Sequence, residues 1–545
     1  MSKIMFLADK DNPEGEVFKI ISPIDISIIK KYSDDLTIIK KFSESLRVSK
    51  QYLTNQICLK IPAIKYLVGE TLTKQDIENL PFPELRYKYL GNTYFRKKML
   101  FNYINNQERV TERNIPTIIR LSDSLAGKEL HKVYVTFKDL KKEGIIRVDN
   151  NSYNTGTSYR TVPPAKTIEI FYKRDLFSLL KILKISTEFK GFSYGTTVKR
   201  EINMKWKDYY IKGNWRHNGK GMTKEAAEAS VLMECVERFS AEPHNEDNWE
   251  DCFEEDLDFK VGTCKELERK GVTCLSLDWM EGDYLSKDIK LTWVKGKNSN
   301  QEEIYVPANL VFGMDHPRFM RQFPNLFEGV YSVMDSNGLA SGNTYMEAKL
   351  HALCELLERE AYGSFLIDSI DSLFKEHIPK YLQTVRFKLK NYDGFKIPLN
   401  MRSDFIIYKI PSYFGFPTFY AVSGNTGGGG GHLNGRMALT RALCEMQEDA
   451  AIEPINRELF NSSSSLDIEE LPNYSTGNIT RDVKLIETLL SRNKLEVIYI
   501  NLTRKNIGFP VVRCIVPSMN FSESKIQKQP RFFRRISELA RKGEL

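Results

Sequence analysis

Thr223–Arg238 reads TKEAAEASVLMECVER, Thr344–Arg359 reads TYMEAKLHALCELLER and Asn434–Asp449 reads NGRMALTRALCEMQED. Aligned without gaps, they superpose Ala227 with Ala348 and Ala438, Glu234 with Glu355 and Glu445, and Glu237 with Glu358 and Glu448. Each segment opens on a residue able to cap a helix: Thr223, Thr344, Asn434. The apolar spacing predicts three helices, each carrying Glu-x-x-Glu at one place. Ser230, Glu234, Glu237 and Arg238 then share a face of the first. Glu347, His351, Glu355 and Glu358 form a similar stripe on the second, and Arg441, Glu445 and Glu448 on the third. Carboxylates on one face repel, and three converging pairs near an interior need cations to neutralise them. Mg2+ fits, because it takes carboxylate oxygen and is commonly shared with phosphates. A solvated face with Glu/Arg ion pairs would explain one copy; three coincident copies argue against it.

The residues before these helices extend the pattern. Gly221 and Gly342 lie two residues ahead of the first two caps, where backbone can approach closely. Asn218-Gly219-Lys220-Gly221 reads as a Gly-flanked turn offering Lys220 to a phosphate at a helix N-terminus. It is not a Walker A loop, which needs G-x-x-x-x-G-K-[ST]. Asn425–Asn434, NTGGGGGHLN, reads as loop: a hairpin, a lid or a phosphate contact.

Further out, the chain reads as α+β with mixed sheets. Ile289–Val294, Ile304–Val306, Ile406–Ile410, Thr418–Ser423, Leu495–Leu502 and Phe509–Val516 read as strands. Asp149–Arg160, DNNSYNTGTSYR, is a polar, turn-rich stretch and the predicted boundary between residues 1–150 and a catalytic domain over 151–545. Within the first part, Thr117–Val148 has the order helix, break at Gly127, helix ending at Gly144, β-branched run. That order predicts a helical, winged-helix-like domain with Ile145–Val148 opening the wing. Such a domain grips either a peptide or DNA, and the shape alone does not decide.

At 545 residues, with hydrophobic content of 41% and charged content of 28%, the chain is an ordinary globular protein long enough for two or more domains. No apolar run approaches the ~20 residues that span a bilayer. The opening MSKIMFLADKDNPEGE has no secretory core, since Asp9 breaks it, so a cytoplasmic location and no membrane partner are expected. The net charge of +8 is mild for the length and gives no argument for nucleic acid. The tail Lys525–Leu545 is locally basic and reads as a solvated helix. Eight cysteines are scattered without a Cys-x-x-Cys, which excludes a zinc ribbon or a thioredoxin-like motif. Cys235, Cys354 and Cys444, inside the repeated helices, read as packing residues.

At these residues the chain resembles the YcaO family. HNGKGMTKEAAEASVLMECVERFSAE, SNGLASGNTYMEAKLHALCELLERE, GGGHLNGRMALTRALCE and FPVVRCIVPS match its blocks in order, over roughly residues 158–520. The resemblance implies a YcaO-type fold in which three glutamate-bearing helices hold ATP with Mg2+. It implies activation of a peptide backbone amide by phosphorylation of its oxygen. Attack by a neighbouring Cys, Ser or Thr side chain then gives an azoline; attack by external sulfide gives a thioamide. The implied partners are a peptide or protein substrate and a TfuA-like or E1-like protein, and a homodimer is left open. Carried over by position, Lys220, Ser230, Glu234, Asn343, Glu347 and Arg441 would bind the cofactor. Glu234, Glu237, Glu355 and Glu358 would be magnesium-site residues, and Arg238, Arg359 and Glu445 the catalytic set.

Three residues depart from the family pattern. Glu448 stands where Gln is frequent, with Gln447 one place earlier; Glu360 stands for Asp; His351 takes a serine-like place. The terminal SELARKGEL lacks the Pro-x-Pro ending common in azoline-forming members, which shifts the expectation toward thioamidation. Two other functions fit parts of the chain: a helper factor, as in ribosomal-protein methylthiolation, and a DNA-binding regulator with a nucleotide-sensing domain. Intact carboxylates in all three helices favour the enzyme.

Overall fold

The computed structural model describes residues 115–126, 132–206, 209–242, 252–255, 257–276, 291–312, 336–365, 405–410, 412–423, 426–448, 471–517, 519, 537 and 541. First come helices α1 (Ile115–Ala126) and α2 (Phe137–Lys142), the hairpin of β1 (Tyr153–Asn154) and β2 (Tyr159–Arg160), and helices α3 (Pro164–Lys173) and α4 (Leu176–Leu179). Strands β3 (Ile182–Phe189), β4 (Tyr194–Trp206) and β5 (Tyr209–Gly221) form an antiparallel sheet, and β5 leads into α5 (Lys224–Ala241). Next are β6 (Phe259–Gly262), α6 (Cys264–Glu268), β7 (Leu291–Asn298) and β8 (Glu303–Pro307). Then β9 (Leu339–Ser341) leads into α7 (Tyr345–Phe365). A second antiparallel sheet joins β10 (Phe405–Ile410), β11 (Thr418–Ser423) and β12 (Thr426–Gly431), and β12 leads into α8 (Gly435–Glu448). After α9 (Ile479–Arg492) come β13 (Ile498–Asn501) and β14 (Val511–Ile515). The largest sheet runs β6-β7-β13-β14-β9, with β8 on β7.

The three repeated segments are thus three strand–helix units: β5–α5, β9–α7 and β12–α8. Each helix starts after its expected cap. Thr223 accepts from Ala226 N at 3.1 Å, Thr344 from Glu347 N at 3.3 Å and Asn434 from Arg436 N at 3.0 Å. In the first and third units the strand lies so close to its helix that only glycine fits. A Cβ on Gly219 would sit 2.6 Å from Ala227 O and 2.3 Å from Val231 N; one on Gly430 would sit 2.4 Å from both Ala438 O and Ala442 N. The offsets along the chain are the same, so the two units share one packing geometry.

That closeness corrects two expectations. The glycine run is not a loop but strand β12, paired residue for residue with β11 and buried under α8. Glycine's low strand propensity is overridden because a side chain at Gly428 would meet Met446 N at 2.0 Å. Likewise Asn218–Gly221 is not a turn but the end of β5, paired with β4. His217, Gly219 and Gly221 are buried in alternation, while Lys220 on the other side is only half-buried.

One large core joins the biggest sheet, α5, α7 and α9, and a smaller one lies between β10–β12 and α8. The segment 132–150 is fastened to the larger. Phe137 and Leu140 of α2 are fully buried, Phe137 N donates to Phe414 O at 2.9 Å, and the Phe137 ring stacks on Tyr474. The expected wing strand does not form. Ile145–Val148 pair with no strand, because the next residues, Asp149 and Asn150, donate their N–H groups to Thr476 O instead. Asp149–Arg160 is no free linker either: Arg481 and Asn478 bind the Asp149 carboxylate, and β1–β2 is strapped to α7 through Glu347. Residues 1–114 lie outside the described residues. Of the basic tail, Arg541 pairs with Asp123 of α1. No helix of the described residues is long and apolar enough to cross a membrane.

Candidate active site

Each unit presents its carboxylates in the same way. The first Glu of each pair, Glu234, Glu355 and Glu445, is half-buried. The second, Glu237 or Glu358, lies beneath and is buried. The side chain of Glu448, the third unit's second Glu, lies outside the described residues.

The units interlock through these groups. Lys220 of the first unit pairs with Glu445 of the third. Glu358 of the second accepts from Gly431 N at 2.7 Å and faces Arg441 of the third at 3.9 Å. Between the first and second units, Ser341 Oγ donates to Met233 O at 2.9 Å. Glu237 and Glu355 are close enough to repel. Arg238 stands 3.8 Å from Glu234 and 4.0 Å from Glu237, between the two carboxylates of its own helix. Ser230 lies one turn before Glu234, and Arg359 one turn after Glu355, each half-buried on the corresponding face. Glu355 itself accepts from Gly338 N at 3.3 Å.

The electrostatics differ between the carboxylates. Burial pushes the Glu237 carboxyl up to about 8; Arg238 opposes this, while the charges of Glu355 and Glu234 add to it. Burial also acts to raise Glu234. There the hydrogen bond from His217 and the charges of Arg238, His217 and Lys220 prevail and hold the carboxyl below its ordinary range. Burial, with the nearby Arg441 and Arg160 cations, drives His432 down to about 3, and His351 is lowered in the same way. Both imidazoles are therefore neutral near pH 7. His351 Nδ1, His432 Nε2 and Arg441 Nε are buried without a hydrogen-bond partner. Such unpaired polar atoms beside crowded carboxylates mark a site shaped for further ligand atoms.

Two predicted cofactor residues, Asn343 and Glu347, also hold neighbouring segments together. Glu347 accepts from Arg160 Nη1 at 3.2 Å, Thr161 N at 2.8 Å, Thr161 Oγ1 at 2.7 Å and Asn343 Nδ2 at 2.9 Å. Asn343 accepts in turn from Thr167 Oγ1 at 2.8 Å. This carboxylate fastens the β1–β2 hairpin beside the site. Sequence reading also missed His217, whose Nε2 accepts from Arg200 Nε at 2.9 Å and whose Nδ1 stands 3.5 Å from Glu234. Behind it Arg200 pairs with buried Glu242. Strand alternation through His217-x-Gly219-x-Gly221 was the available signal, hidden by reading the glycines as a turn.

The model of the family described as YcaO cyclodehydratase, ATP- and Mg2+-binding, matches residues 218–520, more than half of the chain. The chain belongs to the YcaO family. ATP and Mg2+ are accordingly its cofactors. A protein of Methanothermobacter thermautotrophicus is 27% identical over 405 residues, covering 66% of this chain and 94% of its own. A protein encoded in the tfuA 3′ region of Rhizobium leguminosarum bv. trifolii is 34% identical over 165 residues, 29% of this chain and 34% of its own. Among solved structures, YcaO from Methanopyrus kandleri, bound with AMPPCP and Mg2+, has 21% identity and a TM-score of 0.51, covering 69% of this chain and 96% of its own. That likeness shows the fold.

The donor set fits these cofactors. Among the described residues no group of three His, Cys, Asp or Glu side chains could hold a metal alone. Mg2+ needs no such cage: it takes one or two carboxylates and completes its shell with phosphate oxygens and water. The Glu237 carboxyl, raised by burial and by its acidic neighbours, would be relieved by a cation.

Proposed function

We propose that this chain phosphorylates the oxygen of a peptide backbone amide with ATP and Mg2+, and that sulfide then replaces the phosphorylated oxygen to leave a thioamide. The observation that carries the reading is the interlocking of the three units around Glu234, Glu237, Glu355, Glu358 and Glu445, with Lys220, Arg238 and Arg441 among them. Carboxylates and cations in this mixture suit a metal–polyphosphate ligand, and have little use in a purely structural interface.

ATP with Mg2+ supplies the phosphoryl group that turns an amide oxygen, a poor leaving group, into a good one. The chain's own residues set the stage. Glu234, kept ionised by His217 and Arg238, offers a half-buried carboxylate, and Glu355 is its counterpart on α7. Glu237 holds its proton until a cation arrives. Lys220 and Arg441 aim positive charge at the phosphate side, where preorganised cations stabilise charge that develops in the transition state. Arg359 and Ser230 are assigned to orienting the phosphates, and Asn343 and Glu347 act by holding Arg160 and Thr161 beside them.

Thioamide formation is supported by the relative encoded in the tfuA 3′ region, since the family resemblance joins thioamides to a TfuA-like partner. The second reading is azoline formation, which the description of the family as cyclodehydratases favours. In either case residues 151–545 act as the catalytic domain and residues 1–150 grip the peptide or the partner.

Incubation of the full chain with ATP, Mg2+, sulfide and peptides encoded beside its gene, one amide oxygen carrying oxygen-18, tests the proposal. Oxygen replaced by sulfur in the peptide, with the label in released phosphate, is expected. Loss of water would give the azoline reading. Phosphate release that never carries the label would overturn both.

A further inference from the structure

Helix α7 carries its acidic stripe on one side and an unexplained lysine on the other. Lys349 lies ~180° around the helix axis from Glu347 and Glu358. It is 9% exposed, and its Nζ stands 3.8 Å above the Tyr499 ring and 5.2 Å from the Tyr345 ring. Among the described residues no carboxylate is within ion-pair distance of it, and burial lowers its affinity for its proton. Glu487 and Glu255 act on it only from beyond contact distance, so the buried ammonium has ring faces as its close neighbours and is costly unless something else meets it.

A cavity of about 240 Å3 opens beside this group, between β7, β13, the start of α7 and the residues Glu255 and Leu257. Lys295, Lys297, Asn501 and Glu255 line it together with Tyr345, Lys349 and Tyr499. The rim lysines are already engaged, Lys297 with Glu255 at 3.5 Å and Lys295 with Glu303 at 3.6 Å. The Asn501 amide donates to Glu255 at 3.1 Å, and Tyr499 hydroxyl donates to Glu487 at 2.8 Å. Among the described lining residues, Lys349 is therefore the cation that no carboxylate contacts directly, and aromatic faces flank it. An oxyanion would pair with Lys349 through charge-assisted hydrogen bonds, and a flat apolar body would lie on Tyr345 and Tyr499.

We propose that this cavity is a second ligand site, separate from the carboxylate cluster, for a small aromatic anion whose oxyanion is bound by Lys349. The volume suits a single-ring compound and not a nucleotide.

Isothermal titration of the full chain with benzoate and with phenyl phosphate, the same ring bearing two oxyanions, tests this. Saturable binding of at least one is expected, with the neutral analogue benzamide inert; the tighter of the two identifies the anion. Lys349→Met, which replaces a buried charge with an apolar chain of similar length, should weaken that binding by at least about tenfold while leaving AMPPCP affinity unchanged. In the unsubstituted chain the bound anion should protect Lys349 from reductive methylation, read by peptide mass spectrometry. Absence of binding by both anions, equal binding in Lys349→Met, or unchanged methylation of Lys349 would overturn the assignment.

Discussion

Glu237→Gln separates a carboxylate kept for a cation from one kept for the fold. Glu237 is 8% exposed, and its carboxyl rises from 4.5 to about 8, chiefly through burial, with Glu355 and Glu234 adding to the rise against Arg238. In the unfolded chain it ionises at its ordinary value. Between that value and about 8 the folded protein thus holds a proton that the unfolded chain does not. The stability it contributes is full below the ordinary value and is lost as pH rises through the folded one. Each tenfold change in ionisation is worth about 1.4 kcal/mol, so roughly 3 kcal/mol is lost by neutrality. Glutamine has the same shape and does not titrate. In urea denaturation without metal or nucleotide, the variant should gain on the parent chain as pH rises from about 5, reaching about 3 kcal/mol near neutrality. Adding AMPPCP with Mg2+ should reverse the order, because only the parent chain has the carboxylate to bind them. A stability difference that stays flat across this range would refute the reasoning.

Other perturbations read other parts of the account. Gly430→Ala puts a Cβ 2.4 Å from the backbone of α8, and should destabilise by about 3 kcal/mol or more in thermal melts. Gly144→Ala, with no atom within 4 Å and φ of +73°, should cost only about 1 kcal/mol. Lys220→Met breaks the pair with Glu445 and should lower peptide-dependent phosphate release by roughly 100-fold, measured by a phosphate assay, with the melt little changed. Iodoacetamide at pH 8 should leave Cys235, Cys354 and Cys514 unmodified until the chain is denatured. All three are buried, and burial pushes the Cys354 thiol up to about 12 and the other two higher still.

The repeated helices were legible because a helix declares itself locally. Caps at Thr223, Thr344 and Asn434 and the recurring Glu-x-x-Glu need only a few neighbouring residues to be read. The strands before them were not, because β12 is dictated by what lies across from it. Five successive glycines look like a loop until α8 is laid against them at a distance no Cβ tolerates. The same misreading of Asn218–Gly221 hid His217, whose role beside Glu234 depends on strand alternation. Glu347 illustrates a further limit. Its place on the acidic stripe was correct, but its partners Arg160 and Thr161 come from more than 180 residues away, at the end of the stretch read as a domain boundary and just after it. The wing failed for a related reason: a β-branched run becomes a strand only where an edge is available, and Asp149 and Asn150 are drawn to Thr476.

The central claim is that three strand–helix units together build one magnesium–nucleotide site. Titration of AMPPCP into the full chain, with and without Mg2+, tests it most directly when repeated on Glu234→Gln, Glu355→Gln and Glu445→Gln, one substitution from each unit. Binding should require Mg2+ and be weakened at least about tenfold by each substitution alone. Binding indifferent to Mg2+, or full affinity in any one of the three variants, would contradict it.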